Sequence, residues 1–450
     1  MLKKNSEFEL TVTDIGSEGE GIGRVGGMAV FVKGGLPGER LRVKIMKEKK
    51  SFAYGKLLKI LSPSAARTEP ACPAYGVCGG CDLRHCAYAA QLEIKTKMVG
   101  DCLRRIGGID AEVAPAIGME SPFRYRNKAQ IPVGNGENGL VAGFYARRSH
   151  RIVPFDDCDV QHEATRRIVG TVLDFAARNR IPAYDEASHS GVLRHIVTRT
   201  GSAGGEIMVC LVVNARGLPV NKRETEALVS ELKKIPGFTT LVLNINADVT
   251  NVVMGKRVIT LCGPGVITER VGDVVYEISP LSFFQVNTSQ AGKLFDTVES
   301  FAGFTGGERV LDVYCGAGAI SLYVAPKVKE VFGIEASAAA VADARRNAVL
   351  NGAKNALFIE GQAEKALAEF RKSVDAVIVD PPEKGCSAAA ILAIAQKRPG
   401  TVVYVSCNPA TLARDLKIFA ENGYVLEKAQ PVDMFPMTAR VECAAKLVRG

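Results

Sequence analysis

Three segments of the C-terminal half constrain this chain more than anything else in it. Each is a short apolar run that stops at a turn carrying a chemically active residue. Val310-Leu311-Asp312-Val313 runs into Tyr314-Cys315-Gly316-Ala317-Gly318. Val377-Ile378-Val379 ends in Asp380-Pro381-Pro382, and Val402-Val403-Tyr404-Val405 leads through Ser406 to Cys407-Asn408-Pro409. Strands of this kind belong to a parallel α/β sheet, in which ligands bind outside the carboxyl ends of the strands. A glycine turn, an acid and a thiol would then share one crevice, and a thiol there is better placed as a nucleophile than as a packing residue. From about residue 275 onward strand and helix patterns alternate, as in a doubly wound α/β domain.

The remaining length needs further domains, since 450 residues correspond to about three. No signal peptide is evident, and no apolar run approaches the roughly 20 residues of a membrane span. The expectation is a cytoplasmic protein with no membrane partner and no obligate protein partner. The 12 cysteines would then be core residues, metal ligands or nucleophiles rather than disulfides. A net charge of +9 suits a polyanionic partner without establishing one.

Residues 1–62 alternate apolar and polar positions between glycine turns, the pattern of a small, OB-like β-barrel. Lys44, Lys47, Lys49 and Lys50 stand near one strand end with Phe52 and Tyr54 close by. Basic and aromatic residues interleaved on a small barrel are suited to single-stranded nucleic acid. Gly16 to Gly23 joins two β-runs and opens no helix, so it is not a phosphate loop. A linker, residues 63–71, leads to Cys72-Pro73-Ala74-Tyr75-Gly76-Val77-Cys78-Gly79-Gly80-Cys81. Three thiols so closely spaced in a reducing compartment point to metal. Zinc and an iron–sulfur cluster both accept four cysteines, and spacing alone nominates Cys86 as the fourth ligand. The region 63–270 is expected to be a small α+β domain carrying this metal site, with helices near 84–105 packed on the catalytic domain.

The glycine turn lacks the third glycine of the dinucleotide fingerprint, which argues against a pyrophosphate ligand. Glu335 closes the next strand, Val331-Phe332-Gly333-Ile334, where an acid can hydrogen-bond ribose hydroxyls. An adenosine-type cofactor such as S-adenosylmethionine fits both features. Asp380-Pro381-Pro382 is followed by Glu383 rather than by an aromatic residue that would stack a base for amino methylation. Cys407 favours a carbon target. Carbon 5 of uracil is a weak nucleophile until a thiolate adds at carbon 6. The carbon 5 proton must then leave, which calls for a general base. Glu442, in Thr438-Ala439-Arg440-Val441-Glu442, is the candidate. Cys315, Cys386 and Cys443 are read as packing residues.

Taken together, these residues resemble the bacterial 23S ribosomal RNA uracil-5-methyltransferases that carry an iron–sulfur cluster. The resemblance spans nearly the whole chain. It implies an N-terminal TRAM barrel, a cluster-bearing central domain and, over residues 271–450, a Rossmann-like class I methyltransferase domain. It implies a 4Fe–4S cluster on Cys72, Cys78, Cys81 and Cys158, replacing Cys86 as the fourth ligand. It implies that Gln285, within Ser282-Phe283-Phe284-Gln285-Val286-Asn287, contacts S-adenosylmethionine together with Tyr314, Glu335 and Asp380. Cys407 matches the nucleophile, Glu442 the base, and Asp380 is also expected to position the reacting groups. RNA is the implied partner, 23S ribosomal RNA ahead of the T-loop of tRNA. An iron–sulfur redox protein and a non-catalytic RNA-binding module are the readings from other classes. Met437 and Arg440 stand where relatives often carry histidine, and Gly318-Ala319-Ile320 replaces the Gly-Asn-Phe of some relatives.

Overall fold

The computed structural model describes residues 2–450. Strands β1 (Glu7–Ile15), β2 (Glu20–Val25), β3 (Met28–Lys33), β4 (Arg40–Glu48) and β5 (Phe52–Ser62) close into a barrel in the order β1-β2-β3-β5-β4. Closure leaves no free sheet edge. Alternate residues such as Val30, Val32, Leu41, Val43 and Ile45 fill the interior and are fully buried. Outside, Phe31, Phe52 and Tyr54 form a cluster of tilted and edge-on rings.

The cysteine-rich segment then leads into helix α1 (Tyr88–Cys102), followed by a short π-turn at Leu103–Gly107. This helix leaves the central region. Val99 and Leu103 are buried in one apolar cluster with Leu412, Ala413 and Leu416 of the C-terminal domain. A buried ion pair fixes it there: Lys95 meets Asp433, both side chains fully inaccessible. Tyr88 Oη donates to the other Asp433 oxygen at 2.8 Å.

The central region contains β6 (Lys128–Gly136), β7 (Gly139–Tyr145), β8 (Ile152–Pro154), α2 (Ala164–Arg178), β9 (Leu193–Thr200), β10 (Ile207–Val213), α3 (Lys222–Leu232), β11 (Phe238–Ile245) and β12 (Arg257–Cys262). These strands form one seven-stranded sheet, order β12-β11-β10-β9-β6-β7-β8. It is mixed, with β10 and β11 parallel and its other neighbours antiparallel. The central part is therefore a full-sized sheet rather than a small one. Its strands β9 and β10 are buried at every position, which is why alternation is so weak there.

A hairpin, β13 (Ile267–Val271) and β14 (Val274–Ile278), introduces the last region. It continues with α4 (Thr288–Ala302), β15 (Arg309–Val313), α5 (Ala319–Val324), β16 (Glu330–Glu335), α6 (Ala338–Leu350), β17 (Ala356–Glu360), α7 (Ala363–Glu369), β18 (Ala376–Val379), α8 (Ala388–Gln396), β19 (Thr401–Ser406), α9 (Pro409–Glu421), β20 (Tyr424–Val432) and β21 (Glu442–Arg449). The sheet order is β17-β16-β15-β18-β19-β21-β20. The first five strands are parallel, and β21 inserts antiparallel between β19 and β20. Strand order reverses direction between β15 and β18, the switch point at which such sheets bind ligands. Among the described residues no helix is long and apolar enough to cross a membrane.

Candidate active site

The carboxyl ends of β15, β16, β18 and β19 open onto a cavity of about 870 Å³, and Gln285, Tyr314, Glu335, Asp380, Cys407 and Glu442 all line it. Six residues spread over 158 positions of sequence are gathered by the crossover connections of the sheet.

The glycine turn after β15 is strained where it is most informative. Tyr314 has φ of +69°, a conformation that costs a non-glycine residue about 1–3 kcal/mol and clusters at functional sites. It is held there because the amides of Tyr314 and Cys315 both donate to the carbonyl of Ile334, at 2.9 and 3.1 Å. Gly318 (φ +80°) opens α5, and a Cβ on it would lie 2.9 Å from the Phe358 ring. Glu335 caps this turn from the next strand. Its Oε2 accepts from the Gly316 amide at 3.2 Å and its Oε1 from the Ser337 amide at 2.7 Å.

Gln285 is buried, and its segment is pinned from the central sheet. Asn127 Nδ2 donates to the Gln285 carbonyl at 2.9 Å, and the Asn127 amide donates to the Val286 carbonyl at 2.8 Å. Asn287 caps α4 and donates to the carbonyl of Met434 at 3.1 Å. Phe283, 69% exposed, lines this cavity and also a second one.

Cys407 sits between the end of β19 and the start of α9, where Asn408 is the N-cap and accepts from the amides of Ala410 and Thr411. Ser406 pairs with Cys443 in the antiparallel register, so one step further brings Cys407 alongside Glu442. The inserted strand β21 thus delivers an acid from the chain terminus to the thiol. Glu442 is buried at 3% exposure. Burial first, then the Asp380 carboxylate, raises its pKa. Burial first, then Asp312, does the same to Asp380. Burial pushes the Cys407 thiol up to about 12, with Glu442, Glu383 and Asp380 adding to the rise and Arg440 opposing it. Arg440 is itself ion-paired with Glu383.

Asp312 was not singled out by sequence reasoning, yet it lines the same cavity. It is fully buried, its Oδ2 accepts from Ser321 Oγ at 2.5 Å, and its Oδ1 has no partner. Burial pushes its pKa up to about 6. The signal was an acid inside an otherwise apolar strand: a buried carboxylate without full hydrogen bonding is costly and implies a missing donor.

Cys72, Cys78, Cys81 and Cys158 line the second cavity, of about 530 Å³. The Gly80 amide points at Cys78 Sγ at 3.4 Å. Cys86, favoured by spacing, lies elsewhere, 3% exposed in an apolar cluster with Ile15, Leu36 and Leu83. The loop around Cys158 reaches the array through space, because Arg84 pairs with Asp159. Among the described residues no three His, Cys, Asp or Glu side chains converge closely enough to grip a single metal ion. Cys315, Cys386 and Cys443 are buried.

The switch-point crevice and its lining define a class I methyltransferase fold. Residues 266–450 match the tRNA (uracil-5-)-methyltransferase family model, and residues 2–58 match the TRAM domain. An uncharacterised RNA methyltransferase of Halalkalibacterium halodurans is 45% identical over 99% of this chain and 98% of its own length. A second, from Caldanaerobacter subterraneus, is 44% identical over 100% and 99%. The crystal structure of Pyrococcus abyssi tRNA (uracil-54, C5)-methyltransferase in complex with S-adenosyl-L-homocysteine is similar at a TM-score of 0.79 and 29% identity, covering 98% of this chain and 100% of that one. The chain belongs to the RNA (uracil-5-)-methyltransferase family with a TRAM domain.

Proposed function

We propose that this protein methylates carbon 5 of a uridine in 23S ribosomal RNA, using S-adenosylmethionine and a covalent adduct at Cys407. One observation carries the reading: a thiol, a buried acid alongside it and a ribose-type acid share one cavity. The residues present suit the methyl donor. Asp312 Oδ1 is a buried acceptor without a partner, fit for an ammonium group, and Glu335 stands where ribose hydroxyls would lie. Gln285 and Tyr314 complete the cofactor wall. S-adenosylmethionine, when bound, supplies an electrophilic methyl group.

Cys407 Sγ, its proton released to solvent, adds as the thiolate to carbon 6 of the uracil, giving carbon 5 the character of an enolate. After carbon 5 has taken the methyl group, Glu442 removes its proton and Cys407 leaves by elimination. The raised pKa of Glu442 suits this task, since a general base works best when its pKa lies near the operating pH. Burial, with Glu442, Glu383 and Asp380 adding to it, holds the Cys407 thiol protonated. The sulfonium, when bound, would supply a positive charge nearby, and any such charge favours the thiolate. Asp380, between the thiol and the cofactor wall, positions the base.

Cys72, Cys78, Cys81 and Cys158 would hold a 4Fe–4S cluster. Four thiols spread around a cavity, with an amide aimed at one sulfur, suit a polynuclear cluster. It would supply structure, because methyl transfer needs no electron.

The T-loop uridine of tRNA is the second reading, favoured by the similarity to the Pyrococcus abyssi enzyme. Incubating the protein with purified ribosomal RNA and tRNA and a labelled methyl donor decides between them. The Cys407→Ala variant should transfer no label, and Glu442→Gln should accumulate a denaturation-resistant protein–RNA adduct. Label transfer at the normal rate by Cys407→Ala would sink the mechanism.

A further inference from the structure

A third cavity, of about 820 Å³, opens on the central sheet and includes Tyr145, His150, Tyr184, Glu186, Arg194 and His195 in its wall. None of these residues takes part in the chemistry above. Tyr145 and His150 stack with ring centres 5.1 Å apart and planes within 17°. Glu186 pairs with His150 and accepts from Tyr145 Oη at 3.2 Å. Tyr184 lies beneath the Arg194 guanidinium, 4.3 Å from ring centre to carbon. Arg194 is fixed by three loop carbonyls, those of Asn246, Asp248 and Thr250. His195 is only 7% exposed, and its Nδ1 has no hydrogen-bond partner. An unpartnered buried nitrogen on the wall of a polar cavity implies a partner that arrives with a ligand.

The cavity adjoins a basic loop. The loop from β7 to β8 carries Arg147, Arg148, His150 and Arg151. Arg148 pairs with Glu18 at 2.7 Å and lies over the Tyr54 ring of the barrel at 5.9 Å. Arg147 pairs with Asp82 beside the cysteine array. Arg151 is exposed and in no ion pair among the described residues. This loop therefore links the aromatic face of the barrel to the cavity. Stacking rings beside cationic groups are the means by which single-stranded nucleic acid is held.

We propose that this cavity receives one unpaired base of the RNA substrate, a base bearing an exocyclic amine that donates to Glu186. The aromatic side chains supply its stacking platform, His195 Nδ1 meets a polar edge of the base, and Arg151 meets the flanking phosphate. The inference rests on RNA being the substrate and adds a nucleotide subsite remote from the methylated uridine.

The test uses the full chain, labelled S-adenosylmethionine and total RNA from cells lacking this protein. His150→Ala and Glu186→Ala each remove an exposed side chain and should leave the thermal midpoint unchanged. Each should raise the half-saturating RNA concentration about tenfold, the worth of one stacked base, with kcat within about twofold of the parent value. His150→Phe, which keeps a ring, should recover most of the loss. Half-saturation like the parent's in both alanine variants, or a loss confined to kcat, overturns the proposal. If the parent protein itself transfers no label to any RNA, the methylation reading falls instead, so the two failures are distinguishable. Should His150→Ala prove unstable, Glu186→Ala alone carries the same two outcomes.

Discussion

Replacing Lys95 by methionine should loosen the loop that leads into Glu442. Lys95 and Asp433 are both fully buried, and Lys95 Nζ also donates to the carbonyl of Phe435 at 3.1 Å. Methionine keeps the apolar stem, so the change removes charge more than volume. Asp433 would retain Tyr88 Oη at 2.8 Å but lose its counter-charge. Breaking one side of a buried pair costs about 3–5 kcal/mol. The reciprocal change, Asp433→Asn, leaves an ammonium in the same place, and burial already lowers the Lys95 pKa. The cost of Asp433→Asn should shrink as pH rises toward 10, because burial favours the neutral amine of Lys95. The paired change Lys95→Met with Asp433→Leu should recover most of the loss, because no charge is left behind. Hydrogen exchange by mass spectrometry over α1 and residues 433–440 measures the effect locally. A loss of about 3 kcal/mol accelerates exchange by about 100-fold, at tenfold per 1.4 kcal/mol. Acceleration below about fivefold at pH 7 would refute the reasoning.

Three further outcomes are expected. Asp312, Asp380 and Glu442 all have folded pKa values above their unfolded ones. The folded protein therefore binds more protons than the unfolded chain from about pH 4 up to those raised values, and these groups lower its stability as pH rises through that window. Thermal midpoints of Asp312→Asn and Glu442→Gln should exceed the parent's at pH 8, with the gap closing toward pH 4. Cys158→Ala should cost the purified protein its iron and acid-labile sulfide, whereas Cys86→Ala should keep both; equal retention in the two would remove Cys158 from the ligand set. Gly318→Ala should weaken S-adenosylmethionine binding measured by calorimetry, since its Cβ would meet the Phe358 ring at 2.9 Å in a backbone conformation that costs alanine about 1–2 kcal/mol. Parental affinity would show that the turn yields.

Glu335, Asp380 and Cys407 were legible before the fold because each stands at an abrupt end of an apolar run, and such ends converge in a parallel sheet whatever its details, whereas Gln285 was marked only by the family resemblance. Asp312 escaped notice by lying inside its strand rather than at its end. Lys95 and Asp433 escaped because nothing local marks a charged residue of a helix as buried. Cys86 against Cys158 is the clearest divergence. Proximity in sequence favoured Cys86, but a short loop can also bury its thiol in a neighbouring apolar cluster.

The sequence alone marked the strand ends, Cys407, Glu442 and an expected three-part layout, since periodicity, glycine and proline act over a few residues. Only the tertiary structure decided that β21 runs antiparallel beside β19 and brings Glu442 to Cys407. It alone decided that α1 is fixed through a buried pair of Lys95 with Asp433, and that Cys158 shares one cavity with Cys72, Cys78 and Cys81. Those outcomes depend on which surfaces bury one another across hundreds of residues, and no local pattern encodes that choice.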